Sequence, residues 1–138
     1  MTTIARDVLK AEMAQRLGEV AVEHPVGHQG KLAARFILRS HGGEGIEFMF
    51  EKGPSTSPNL WVQQRYAELL MDGRIEHRVS LAHALHALTN AKGKKIYGRH
   101  SALRAMPQLA DADLVCFKLR SMSELEQVIK ALQGARQP

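Results

Sequence analysis

The chain has 138 residues, 44% of them hydrophobic and 24% charged, and a formal net charge of +5 at pH 7, which suits one compact domain over residues 1–138 with an ordinary core. A single cysteine, Cys116, excludes an internal disulfide and a cysteine-based zinc cage, and no apolar run approaches the roughly 20 residues of a membrane span. The N-terminus carries Asp7 and lacks the uninterrupted apolar stretch of a secretory signal, so a cytoplasmic protein is expected.

Thr3 can cap a first helix running to about Val22, with Ile4, Val8, Met13, Leu17 and Val20 on its apolar stripe and Arg6, Lys10, Glu12, Arg16 and Glu19 mostly off it. Pro25, Gly27 and Gly30 then make a loop. Residues 34–40 and 46–52 alternate around H-G-G-E-G, which predicts a β-hairpin. A turn centred on Gly43 pairs Leu38 with Phe48 and Phe36 with Phe50 on one face. It pairs Arg39 with Glu47, Ile37 with Met49 and Arg35 with Glu51 on the other.

Ser57 and Pro58 read as a helix cap and first helical residue, so a helix is expected from there to Asp72, stopped by Gly73. Ile75 to Val79 alternates as a strand. Ser80 can then cap a short helix ending near Asn90, with Leu81, Leu85 and Leu88 on one stripe. One helical turn fits 101–106. Ala112 to Leu119 is apolar on both faces, the mark of an interior strand. Ser121 to Glu124 and Ser123 to Glu126 both fit a capping box, which starts a last helix near Ser123 that Gly134 ends. The expected fold is therefore α+β, in the order α-β-β-α-β-α-β-α, with helices packed on one mixed sheet of about four strands.

The segment 92–104 gathers Lys92, Lys94, Lys95, Arg99, His100 and Arg104 around Gly93, Gly98, Tyr97 and Ser101, and no acid occurs between Glu76 and Asp111. Such a concentration of positive charge attracts anions. The sequence pI is about 9.7, which makes nucleic acid, DNA or RNA, a natural partner. Lys92, Lys94, Lys95, Arg99 and Arg104, helped by Arg78 and His77, are the candidate phosphate contacts. His100 belongs to the same set, and Tyr97 can stack on a base. Ile96, Tyr97, Leu103 and Met106 supply apolar anchors that a merely solvated loop would not need.

Docking of the basic face on an acidic protein surface, as a small inhibitor or adaptor would do, is the alternative. A nuclease comes third, with His100 as general base or acid, Arg99 or Lys95 stabilising phosphate charge and Tyr97 positioning substrate. Glu47, Glu51 and Lys52 resemble a metal-dependent nuclease set only superficially, because both glutamates have arginine partners in the expected hairpin. His83 and His86 share a helical face near His77, but no carboxylate flanks them and H-E-x-x-H is absent, so no metal and no cofactor is assigned. Serine-hydrolase, dinucleotide and Walker motifs are also missing. Cys116, in a buried strand, is expected to be inert.

Overall fold

The computed structural model describes residues 3–28, 32–54, 56–84, 92–93 and 99–135. Among them an 18-residue helix, α1 (Thr3–Val20), leads into a two-residue strand, β1 (Val22–Glu23). The hairpin β2 (Ala33–Arg39) and β3 (Gly45–Glu51) comes next, followed by β4 (Asn59–Gln63) and the one-turn helix α2 (Gln64–Ala67). After it come β5 (His77–Ser80), β6 (Leu114–Lys118) and α3 (Met122–Gln133). The strands form one sheet in the order β1-β2-β3-β4-β6-β5. Every neighbouring pair is antiparallel. The α+β class is as expected, but the sheet has six strands rather than about four and is antiparallel rather than mixed.

Three elements differ from the sequence reading, the first being β1, which lies where the helix was expected to end in a loop. Residues 59–63 form β4 where a helix was expected, because Leu60, Trp61 and Val62 are an apolar, aromatic and β-branched run that buries both faces of a strand. Pro58 does not open a helix; its carbonyl accepts from Leu119 N at 2.9 Å and extends the ladder to β6. The helix expected from Ser80 is, within the described residues, a 3-10 turn at Ala82–Ala84. Its first N–H is capped from a distance, with Ala82 N donating to Asp113 Oδ1 at 2.8 Å. Residues 85–90 lie outside the described set.

The hairpin keeps its expected faces and changes its partners. Ser40 N donates to Glu44 O, which closes a three-residue loop, His41 to Gly43, with Gly43 at φ +91°. A left-handed third residue is what this loop length requires, and glycine supplies it without steric cost. The turn therefore centres one residue earlier than Gly43, and each partner moves by two. Phe36 faces Phe48, Leu38 faces Ile46, Arg35 faces Met49 and Ile37 faces Glu47. The predicted Arg39–Glu47 and Arg35–Glu51 pairs do not form.

One sheet face presents Phe36, Phe48, Phe50, Leu60, Val62, Val115 and Phe117 to α1 and α3, which contribute Met13, Leu17, Leu125, Val128, Ile129 and Leu132. Burying each large side chain contributes roughly 1.5–3 kcal/mol, so this layer dominates stability. Ser121 starts α3 by accepting from Glu124 N at 3.2 Å, so the first of the two capping boxes is used. On α1 the expected stripe is rotated: Val8 is exposed, while Lys10 is buried and donates to Gly53 O, Thr56 O and Thr56 Oγ1. Burial holds the Lys10 ammonium below its usual pKa, and neighbouring Arg6 adds to the depression.

The second sheet face carries Met49, Trp61, Leu114 and Cys116, covered by Ala102, Leu103, Met106 and Leu109. Segment 99–113, which holds a 3-10 turn at Ser101–Ala105, thus acts as a lid in place of a helix. Leu103 and Met106 are the apolar anchors expected of it; Ile96 and Tyr97 lie outside the described residues.

Candidate nucleic-acid interface

Alternation along the strands puts the polar side chains of the sheet on its second face. Glu47, Glu51, Arg35 and Gln63 are all buried there. Glu47, Glu51 and Arg35 are each held by a partner other than the one the sequence suggested. Glu47 Oε2 lies 2.7 Å from His24 Nε2, and both side chains are buried. Val26 N donates to His24 Nδ1, so Nε2 carries the proton that faces Glu47. Glu47 Oε1 accepts from Gln108 N at 2.9 Å. Glu51 Oε2 accepts from the Trp61 indole at 2.6 Å, and Arg35 donates to Ala102 O and Gly27 O. The bonds to Gln108 and Ala102 clamp the lid segment 99–113 onto the strands. No group of three or more histidine, cysteine, aspartate or glutamate side chains among the described residues could hold a metal ion.

Of the basic segment, Lys94, Lys95 and Tyr97 lie outside the described residues. Lys92 and Arg104 are exposed. Arg99 faces the other way: it is only 8% exposed. Its guanidinium donates to Ser80 Oγ and O, each at 2.8 Å, and to the carbonyls of Leu109, Ala110 and Ala112. All of its nitrogens are used inside the protein, so Arg99 is a fastener and not a surface cation. His100 is half-buried and caps the 3-10 turn, its Nδ1 accepting from Ala102 N at 3.1 Å. A general base needs a free lone pair on the reacting side. The Nδ1 lone pair is spent here on a backbone N–H, which leaves the proton on Nε2 and closes the base role in this tautomer but not the acid role.

Arg99 has a positional consequence. By gripping Ser80 it fixes this end of the basic segment to β5, two residues from Arg78, and a strand rises only about 3.3 Å per residue. Arg78 is exposed, with its guanidinium 5.1 Å from the centroid of the Trp61 ring, an attractive cation–π placement. It borders a groove of about 270 Å3 lined by Ser57, Asn59, Glu76, His77, Arg78, Cys116 and Lys118. The strand register explains this gathering. Asn59 faces Lys118 and Arg78 faces Cys116, so β4, β6 and β5 project alternate side chains onto one face.

Lys118 and Glu76, each about half exposed, approach to 3.6 Å, a separation at which water competes effectively. The Cys116 thiol forms part of the wall and is chemically quiet. Burial, with help from Glu51, pushes its pKa up to about 12, against a smaller opposing effect of Arg78.

Lys118, Asn59 and Ser57 are absent from the sequence-derived set. Lys118 was legible in principle, since it falls on the same side of L-V-C-F-K as Cys116. Asn59 was hidden by its assignment to a helix. No helix among the described residues is long and apolar enough to cross a membrane. Compared with protein-family models, curated proteins and solved structures, the chain matches none.

Proposed function

We propose that the protein binds the phosphate backbone of nucleic acid along the groove beside β5 and the adjoining basic segment. The observation that carries this reading is the pair of exposed cations, Arg78 and Lys118, on neighbouring strands above a groove with polar walls. The Trp61 ring holds Arg78 in place, which reduces the side-chain entropy lost when it bonds an anion. Ser57 and Asn59 offer neutral donors to further phosphate oxygens. Lys92 and Arg104 are exposed and add further positive charge; Lys94, Lys95 and Tyr97 belong to the same basic segment of the sequence. The third expectation, a nuclease centred on His100, has less support here, because the Nδ1 lone pair is engaged and Arg99 points inward.

Fluorescence anisotropy with labelled single- and double-stranded DNA and RNA at two salt concentrations tests the reading, with Arg78→Ala/Lys118→Ala as the variant. Wild type should bind at least one probe, more weakly as salt rises. On duplex DNA the variant should lose about two units of salt slope, at roughly 0.9 per phosphate contact. Failure of the wild type to bind any of the four probes at low salt overturns the proposal and turns attention to an acidic protein partner.

A further inference from the structure

We infer that the outer edge of β5 is a self-complementary docking strand through which two copies of this chain pair antiparallel about a two-fold axis at His77. Among the described residues β5 is the last strand of the sheet and bonds only to β6. Lys118 N donates to Glu76 O at 2.8 Å, which puts Glu76, and by alternation Arg78 and Ser80, on the side that bonds β6. The backbone N–H and C=O groups of His77 and Val79 therefore point away from the sheet and meet no strand among the described residues. Unpaired edges of this kind recruit further strands unless something blocks them. β5 carries neither proline nor a bulge.

What selects a second copy is the order of side chains. Ile75, Glu76, His77, Arg78 and Val79 read as apolar, acid, histidine, base, apolar, so the two directions from His77 match in apolar positions and carry opposite charges. When two such strands run antiparallel with His77 opposite His77, each Glu76 faces the second copy's Arg78. Each Val79, which is 43% exposed in the single chain, lies opposite the second copy's Ile75, whose own side chain stays buried in its core, so selection rests on the charge pairs. The symmetry makes every contact twice. Glu76 and Arg78 both border the groove, so the two charge pairs form on one side of the joined sheet.

The neighbouring registers are worse. Centring on Arg78 sets two guanidinium groups directly opposite each other, which is destabilising. Centring on Val79 leaves Glu76 and Arg78 without opposite charges. The charges that would protect this edge from a generic strand thus admit its own image. β1, at the other end of the sheet, has only two residues and offers no comparable ladder. A four-residue edge gives a small interface of the weak, reversible class. The pairing does not rest on nucleic-acid binding. Arg78 has five N–H donors and can bond a carboxylate on one edge while another faces the groove.

Analytical ultracentrifugation of the full chain, stripped of nucleic acid and run over a concentration range of roughly a hundred-fold, tests this. The mass should rise from 15.3 kDa towards twice that value as concentration increases. Arg78→Glu sets carboxylate against carboxylate and should weaken association about ten-fold or more. Glu76→Arg should do the same. Glu76→Arg/Arg78→Glu in one chain restores opposite charges across the axis and should return the dissociation constant to within about three-fold of wild type. Both side chains are exposed, and circular dichroism of each variant should match wild type. A wild-type chain that stays at 15.3 kDa throughout overturns the inference. So do single reversals that leave association intact, or a double reversal that fails to restore it.

Discussion

Replacing Arg99 with alanine separates its role as a fastener from any role in binding. The substitution removes one fully buried hydrogen bond, to Leu109 O, and four partly buried ones, to Ser80 Oγ, Ser80 O, Ala110 O and Ala112 O. A bond from a charged donor contributes roughly 1.5–3 kcal/mol when buried, and carbonyls that water can reach recover part of the loss. Taking the buried bond in full and the others at about 0.5 kcal/mol each gives a destabilisation of about 4 kcal/mol. For a chain of this length that corresponds to a fall in Tm of at least ~10 °C. Urea unfolding should show the midpoint lowered with the slope unchanged. Arg99→Lys should fall in between, since an ammonium has three donors and no planar fork. Below its melting range Arg99→Ala should keep the wild-type salt slope for nucleic acid. A variant within about 0.5 kcal/mol of wild type that has lost nucleic-acid binding would refute this reasoning.

Glu47→Ala leaves His24 Nε2 and Gln108 N without their acceptor. At about 1–3 kcal/mol for each orphaned group it should cost ~2–6 kcal/mol in urea melts, with Glu47→Gln costing less. Cys116 should react with a thiol reagent at pH 8 only as fast as the protein opens, because burial raises its pKa to about 12; rapid stoichiometric labelling of the folded chain would contradict its placement. Arg16 donates to Glu126 at 2.6 Å and joins α1 to α3; that hydrogen bond holds the Glu126 carboxyl below its ordinary pKa of 4.5. The stabilisation is therefore complete above that ordinary value and is lost as pH falls through the lower folded one. At this exposed pair Glu126→Ala should cost no more than about 1 kcal/mol at pH 7, and the difference from wild type should close in acid. Lys10 runs the opposite way. Its folded pKa is depressed from 10.5 by burial, so the unfolded chain binds more protons between the two values and stability rises with pH across that window. Lys10→Met should abolish this rise in alkaline urea melts.

Much of the fold could be read from the chain because burial imposes a period. The hairpin faces, the interior position of residues 114–118, the apolar side of α3 and its serine cap all follow from patterns of two or 3.6. Register followed a weaker rule. A shift of two residues preserves every face, so alternation could not tell the Arg35–Glu51 pairing from the observed Arg35–Met49 pairing. The loop length decided the matter, through Ser40 and Glu44. At residues 59–63 two local signals competed. A serine–proline pair favoured a helix, and the burial available between β3 and β6 favoured a strand. Tertiary context won.

The site was less legible, because sequence records the sign of a charge and not its direction. Arg99 and Arg104 are equivalent as letters, yet one is turned into the protein and the other is exposed. Lys118 and Asn59 meet in the groove only through the β4–β6 ladder, between strands far apart along the chain.

The place of β6 between β4 and β5 also bears on how the protein is made. β1 to β4 can assemble as a meander while the ribosome is still elongating, but the inner edge of β4 then has no neighbour. Roughly fifty residues separate Gln63 from Leu114, which at about 5–20 residues per second is ~3–10 s of translation. Through that interval a hydrophobic strand edge flanked by Trp61 faces the crowded exit region of the ribosome. The nascent chain is most open to aggregation or chaperone capture in that window, and a translational pause placed within it would lengthen the risk.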